Sequence, residues 1–310
     1  MLVEGTEFSI YIKILVNSST LNTCMDGQQR NIRIEFQGHK WQALLLGSGK
    51  RFLLAFHGYG QDAQAFNHLA DLLNDSYTLV LMDLAYHGKN ASMSEGFFFK
   101  SDQAAEFIDI VCKALETDRI SLVGYSIGAR IAMSISAACA VRIEELWLFA
   151  PDGMPVSGFY KFLTTNLLGI SLFRGFVKRP HAVFAIIKAA QALKLLNHKA
   201  AKFYLHETAD YGKRKQLFNT WMAYRAAIPS HKALNAAVRE SSLSVVCVLG
   251  IDDSVIPFSR TRRFIRKHLS AAQVYELETG HNMLSDKAIR KFAEYWEAKT
   301  KKRHKAALEE

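Results

Sequence analysis

The sequence predicts an α/β fold: a mostly parallel central sheet, helices on both faces, and a helical block inserted late in the chain. Three observations predict it. Short apolar runs alternate with helix-length amphipathic stretches through most of the 310 residues. Strands that alternate with helices need crossover connections, and these make parallel sheets. Gly124-Tyr125-Ser126-Ile127-Gly128 stands between an apolar strand at 119–123 and a small-residue helix over 127–139. Finally, residues 153–240 show helical periodicity with no strand pattern.

In order, residues 1–30 form an N-terminal extension in which 8–16 has strand character and 17–30 is polar loop. Ile32-Arg33-Ile34-Glu35-Phe36 alternates as an edge strand does, and 41–46 pairs with it across a turn at Gln37-Gly38-His39. The run 51–56 is a buried strand ending in His57-Gly58-Tyr59-Gly60. A helix comes next over 62–73, with Ala65, Leu69 and Leu72 expected to face inward. Strand 77–82 leads into Asp83-Leu84-Ala85-Tyr86-His87-Gly88, and 102–115 is helical. The helix after Ser126 should turn Ile131, Ile135 and Ala138 to one face, and strand 145–149 succeeds it. Beyond the helical block come strand 243–250, a basic helix over 258–268, strand 273–278 and a helix over 284–299. The expected division is an extension at 1–30, a core of 31–152 and 241–303, a helical cap or lid at 153–240, and a charged tail at 304–310.

Composition narrows the function. Hydrophobic content of 49% is ample for a core. No apolar run approaches the ~20 residues of a membrane-spanning helix. Residues 1–16 hold Glu4, Glu7 and Lys13 and lack the ordered regions of a signal peptide, so a cytoplasmic location is expected. Cys24 falls in the polar loop, while Cys112, Cys139 and Cys247 read as small apolar residues of helices and a strand. No Cys, His or Asp cluster has ligand spacing, so neither a metal nor a cofactor is expected. Net charge is +10 and uneven: 153–240 holds fourteen Lys and Arg against Glu207, Asp210 and Glu240. Lys213-Arg214-Lys215 is its densest run. Such a segment attracts an anionic partner, either a lipid surface or an acyl carrier. No nucleic-acid-binding motif accompanies the charge, which excludes nucleic acid from the expected partners. The oligomeric state is not written in the sequence.

The spacing around Ser126 is what a nucleophilic serine requires. On a sharp strand-to-helix turn, Gly124 and Gly128 leave no Cβ where the two elements meet. The turn lifts the hydroxyl above the sheet edge, and the helix N-terminus brings free N–H groups beneath any oxyanion formed there. A serine needs a base, and the base an orienting carboxylate. In a parallel sheet such groups gather beyond the C-terminal strand ends. Asp252 and Asp253 come after strand 243–250, and His281 after strand 273–278. His281 would take the serine proton, and one of the two aspartates would hold the other ring nitrogen.

The chain resembles the α/β-hydrolase superfamily over residues 30–300. The resemblance is carried by His57-Gly58-Tyr59-Gly60, Asp83 with His87-Gly88, the Ser126 pentapeptide, Gly250 through Pro257, and Gly280-His281. It implies the α/β-hydrolase fold and the order Ser, Asp, His. The family's acid stands in Gly-x-x-Asp-x-x-hydrophobic-Pro, which falls on Asp253. Its oxyanion hole falls on the N–H groups of Tyr59 and Ile127. The implied activity is a serine hydrolase that cleaves a small-molecule carboxylic ester or thioester through an acyl-enzyme. Phe97, Phe98, Phe99, Phe159, Phe162 and Phe173 are candidates to line an acyl pocket.

Two positions depart from the family pattern. Ala85 stands where a proline is usual, a change expected to alter loop rigidity alone, and Ala129 stands where many members have a second glycine. The alternative function is a lyase on the same fold. The segment from Gly124 to Arg130 is similar to the SHCHC synthases of the menaquinone pathway, which use the triad as a base on an anionic substrate. Arg130 and His57 are the candidate substrate-binding residues. Each has a structural alternative: for Arg130, pairing with a neighbouring acid; for His57, as for His87, pinning its own loop. His181, His198 and His206 read as solvated residues of the basic cap.

Overall fold

The computed structural model describes residues 24–26, 29–193, 198–241 and 243–296. Its strands are β1 (Cys24–Asp26), β2 (Gln29–Phe36), β3 (His39–Leu46), β4 (Arg51–Phe56), β5 (Tyr77–Met82), β6 (Ile120–Tyr125), β7 (Ile143–Phe149), β8 (Ser244–Gly250) and β9 (Gln273–Leu277). They form one sheet in the order β1-β2-β3-β5-β4-β6-β7-β8-β9. The β1, β2 and β3 pairings are antiparallel, and every pairing from β5 to β9 is parallel. Strands β5 and β6 are buried along their whole length, as continuous apolar runs must be when helices cover both faces. Among its described side chains strand β2 buries Ile32, Ile34 and Phe36, alternate residues. Gln37 and Gly38 both take positive φ, 52° and 70°, and close the β2–β3 hairpin as a two-residue turn.

The helices are α1 (Asn67–Leu73), α2 (Ala104–Ala114), α3 (Ile127–Ala138), α4 (Gly158–Thr165), α5 (Leu167–Lys178), α6 (His181–Ala192), α7 (His198–Glu207), α8 (Tyr211–Ala223), α9 (His231–Glu240), α10 (Phe258–His268) and α11 (286–296). Helices α1 and α11 bury Leu69, Leu73, Ile289 and Phe292 on one face of the sheet. Helices α2, α3, α9 and α10 bury Phe107, Ile131, Leu234 and Ile265 on the other. The fold is that of the α/β-hydrolases.

Several local expectations need correction. Cys24 lies in β1 and pairs with Asn31 across an antiparallel ladder, not in a loop. The helix expected over 62–73 opens as a 3-10 turn, Ala63–Phe66, capped by the Asp62 carboxylate. A 3-10 turn holds three residues, not 3.6, and so rotates α1 away from the expected register. The inward residues are therefore Leu69, Ala70 and Leu73, while Leu72 is exposed. On α3, residues 127–136 are buried on every side, because the helix lies between the sheet and helices α2 and α9, and Ala138 is exposed. The strand expected at 8–16 and the tail at 304–310 lie outside the described residues.

Between β7 and β8 the described residues are helical, with no strand. Helix α9 packs on α3 and α10 against the sheet, whereas α4 packs on α5, α5 on α8, and α6 on α7. Arg214, within the densest basic run, is buried. Its guanidinium donates to Val177 O at 3.0 Å, Thr208 O at 2.9 Å and Ala209 O at 3.0 Å. It stitches α5 to the α7–α8 turn and is not a surface charge. Lys215 pairs with Glu95 at 2.8 Å, so that run offers less free charge than its sequence implies.

Candidate active site

The β6–α3 turn sets Ser126 at φ 54° and ψ −119°, a strained conformation for a residue with a Cβ. Packing holds the strain. A Cβ on Gly124 would stand 2.5 Å from Ala129 Cα, and one on Gly128 would stand 1.9 Å from the Phe56 carbonyl oxygen. Ser126 N–H donates to Phe149 O at 3.0 Å, and Asp152 N–H donates to Ser126 O at 3.2 Å. These bonds tie the turn to the end of β7.

His281 comes from the loop after β9. Its Nε2 is 3.2 Å from Ser126 Oγ, and its Nδ1 is 2.8 Å from Asp253 Oδ2. Asp253 is buried. Its other oxygen accepts from Val255 N–H and Ile256 N–H, each at 2.8 Å. The carboxylate is thus locked by backbone donors, and its second oxygen directs the imidazole: Nδ1–H toward Asp253, Nε2 toward the serine. Asp252 is exposed and makes no such approach; its N–H donates to Thr279 O at 3.1 Å. Tyr125 holds the His281 loop, a contact that the sequence alone did not reveal. Its hydroxyl donates to His281 O at 2.9 Å and its ring lies 5.3 Å from the imidazole.

The loop after β4 is held through the residues on either side of Tyr59. Gly58 N–H donates to Gln61 Oε1 at 3.1 Å, and Gly60 N–H donates to His87 Nε2 at 3.1 Å. The Tyr59 hydroxyl donates to Lys213 O at 3.0 Å, which ties this loop to α8. Ile127 is the first residue of α3, where an N–H has no partner within the helix.

His57 is fully buried and both its nitrogens are engaged. Nδ1–H donates to Gly58 O at 2.7 Å, and Nε2 accepts from Leu84 N–H at 2.9 Å. It has no nitrogen to offer a substrate, and the substrate-binding expectation is corrected to loop anchoring. His87 repeats the pattern, donating to Ala85 O at 2.9 Å and accepting from Gly60 N–H. Burial lowers both imidazoles to about 4, well under the unfolded value of 6.5. The unfolded chain therefore binds more protons between those values. Stability is fully present above about pH 6.5 and lost as pH falls toward 4, at up to about 1.4 kcal/mol per pH unit for each histidine. Urea midpoints measured across this window should fall accordingly, and His87→Gln should make the slope shallower. An unchanged slope would show that these histidines do not govern it.

Arg130 is also fully buried. Its guanidinium lies 3.4 Å from Asp152 and 3.9 Å from the centre of the Tyr160 ring. It pairs with a neighbouring acid beneath α4, the structural alternative to substrate binding. The aromatic candidates divide. Phe97 and Phe99 pack into the core with Trp41, Phe36, Phe107 and Tyr224. Phe173 is buried against Phe218 and Trp221. Phe159 and Phe162 are exposed. Among the described residues no three His, Cys, Asp or Glu side chains gather as a metal site, and no helix is long and apolar enough to cross a membrane.

Ala85 does more than relax its loop. Its buried N–H donates to the Tyr224 hydroxyl at 3.0 Å, a bond that the family's usual proline, lacking an N–H, would forbid. Tyr224→Phe should cost about 1–3 kcal/mol by leaving that donor unpaired. Chemical denaturation measures this, and no loss would mean that the bond contributes nothing net.

Against this geometry, the chain matches the model of the alpha/beta hydrolase family over residues 52–295 and belongs to that family. It is 26% identical over 167 residues to a serine hydrolase-like protein of Danio rerio, covering 53% of this chain and 50% of that one. It is 33% identical over 102 residues to a pimeloyl-[acyl-carrier protein] methyl ester esterase of Wigglesworthia glossinidia brevipalpis, covering 33% of this chain and 37% of that one. The matches thus span half or less of these relatives' lengths. In structure it is similar to a thermophilic esterase from Thermogutta terrifontis, with a TM-score of 0.61 at 17% identity, covering 89% of this chain and 99% of that one. At that identity the likeness shows the fold.

Proposed function

We propose that the protein is a serine hydrolase acting on a small-molecule carboxylic ester or thioester, with Ser126 as nucleophile, His281 as base and Asp253 as its orienting acid. One observation carries this reading: the Ser126–His281–Asp253 hydrogen-bonded chain at 3.2 and 2.8 Å, set on a strained strand-to-helix turn. Ser126 Oγ attacks the carbonyl carbon while its proton passes to His281 Nε2. The oxyanion takes hydrogen bonds from the N–H groups of Ile127 and Tyr59, each such donor being worth about 10²–10³ in rate. His281 returns the proton to the leaving alcohol or thiol. It then removes a proton from water, which attacks the acyl-enzyme and releases the acid. The helices between β7 and β8 act as a cap over this edge, tied to the Tyr59 loop through Lys213 O. Their excess of cations favours an anionic partner, a lipid or an acyl carrier, in the cytoplasm.

The lyase alternative needs Arg130 to meet an anionic substrate. Its burial against Asp152 and Tyr160 favours the hydrolase. A fluorophosphonate probe with peptide mapping tests the reading. It should label Ser126 alone, and a panel of chromogenic esters should be hydrolysed by the wild type and not by Ser126→Ala. Labelling that survives Ser126→Ala would overturn the assignment. Silence on esters together with pyruvate release from the menaquinone intermediate would favour the lyase.

A further inference from the structure

The corner between α4 and α5 exposes side chains that a folded surface normally hides. Leu167 is 87% exposed, Leu168 64%, Leu172 56% and Phe159 67%. The corner is firmly built. Asn166 Oδ1 accepts from Leu168 N–H at 3.0 Å and Gly169 N–H at 3.2 Å, and Tyr160 and Phe173 anchor the inner faces on Trp221. At 100° per residue, Leu167, Leu168 and Leu172 occupy one outward arc of α5, with Arg174 and Lys178 on the same arc. These two cations are exposed, as are Lys161 and Arg179. Residues 153–206 contain eight Lys and Arg and not one Asp or Glu.

We infer that the α4–α5 corner is a docking surface for an anionic lipid bilayer: its leucines and Phe159 enter the acyl boundary, and Lys161, Arg174 and Lys178 meet the headgroups. The inference rests on the proposed hydrolase function only in taking the partner as anionic, and it does not depend on chemistry at Ser126. A bilayer is favoured on three grounds. Apolar side chains projecting from a helix whose flanks are basic are the pattern of interfacial helices. A second copy of this chain would bring the same acid-free cationic segment against itself, which like charge opposes. An acidic protein in solution would answer the cations but leave unexplained leucines exposed this fully.

The test is co-sedimentation with vesicles of phosphatidylcholine alone and of phosphatidylcholine mixed with phosphatidylglycerol. The wild type is compared with Leu167→Ser/Leu168→Ser and with Lys161→Gln/Arg174→Gln/Lys178→Gln, and light scattering reports the oligomeric state. Binding should require phosphatidylglycerol. It should weaken by about fivefold per cation removed, on the order of 100-fold for three, and by about tenfold or more for the leucine pair. The difference between the charge variant and wild type should shrink near 0.5 M salt, where the screening length is under about 5 Å. Both variants should keep the wild-type melting temperature and turnover of a water-soluble ester, and Ser126→Ala should bind vesicles like wild type. These readouts separate a failed docking surface from a failed catalytic assignment. No binding to either vesicle overturns the inference in favour of an acidic macromolecule, and vesicle binding that ignores the leucine pair overturns the insertion of this corner. A leucine variant that changes only the oligomeric state overturns it in favour of a second copy.

Discussion

Asp253→Asn should lower turnover by about 10⁴-fold, the loss seen when the orienting aspartate of a serine protease is made neutral. The local hydrogen bonds say why. One Asp253 oxygen already accepts from Val255 and Ile256 N–H. With asparagine there, the amide oxygen keeps those bonds, which turns the NH₂ group toward His281 Nδ1. The imidazole must then accept at Nδ1 and carry its proton on Nε2, so that it faces Ser126 as a donor and cannot act as a base. The fold should survive, because the substitution preserves shape in a buried site. Asp252→Asn, at an exposed carboxylate, should change turnover only slightly. Steady-state kinetics on a chromogenic ester, with fluorophosphonate labelling rates, measures both. Equal losses at the two positions would mean a shared network, and a loss under about tenfold at Asp253 would remove it from the mechanism.

Gly128→Ala should be among the most disruptive one-carbon changes at the described glycines. Its Cβ would stand 1.9 Å from the Phe56 carbonyl oxygen and 2.6 Å from that of His57. Both are backbone atoms at the end of β4, where the chain cannot yield without moving the Tyr59 loop. Overpacking in a yielding core costs about 1–3 kcal/mol, and a backbone clash should exceed that. A loss of more than about 3 kcal/mol corresponds, in a chain of this length, to a melting temperature lower by about 5 °C or more, or to no soluble protein. Gly175→Ala is the matched control. Its Cβ would meet nothing within 4 Å in the middle of α5, so helix propensity alone should make it neutral or stabilising by about 0.5–1 kcal/mol. Thermal melts of the two variants decide the matter. Similar behaviour would show that the β6–α3 turn relaxes where the packing says it cannot.

By itself the sequence determined the class of fold and the loops that meet at the candidate site. Period-two and continuous apolar runs are local signals, so β2, β5 and β8 were legible. So was the turn at Ser126, because its two glycines answer a steric demand within five residues. Strand ends point loops to one edge of a parallel sheet, so Ser126, His281 and the Asp252–Asp253 pair were legible as neighbours, while the choice of Asp253 came from the resemblance to the α/β-hydrolases. Whatever depended on partners distant in the chain was not. Leu72 faces out because a 3-10 turn upstream rotates α1. Arg214 in a basic run is buried because three carbonyls from two other segments converge on its guanidinium. By residue type and position, His57 and Arg130 suit a substrate. The first is consumed by backbone partners, and the second is fully buried beside Asp152 and the Tyr160 ring. Ala85 reads as a loosened proline until Tyr224, 139 residues away, supplies the reason for its N–H. Charge and hydropathy are properties of residues and can be read from a sequence. Burial and pairing are properties of pairs, and only the tertiary structure decides which pairs meet.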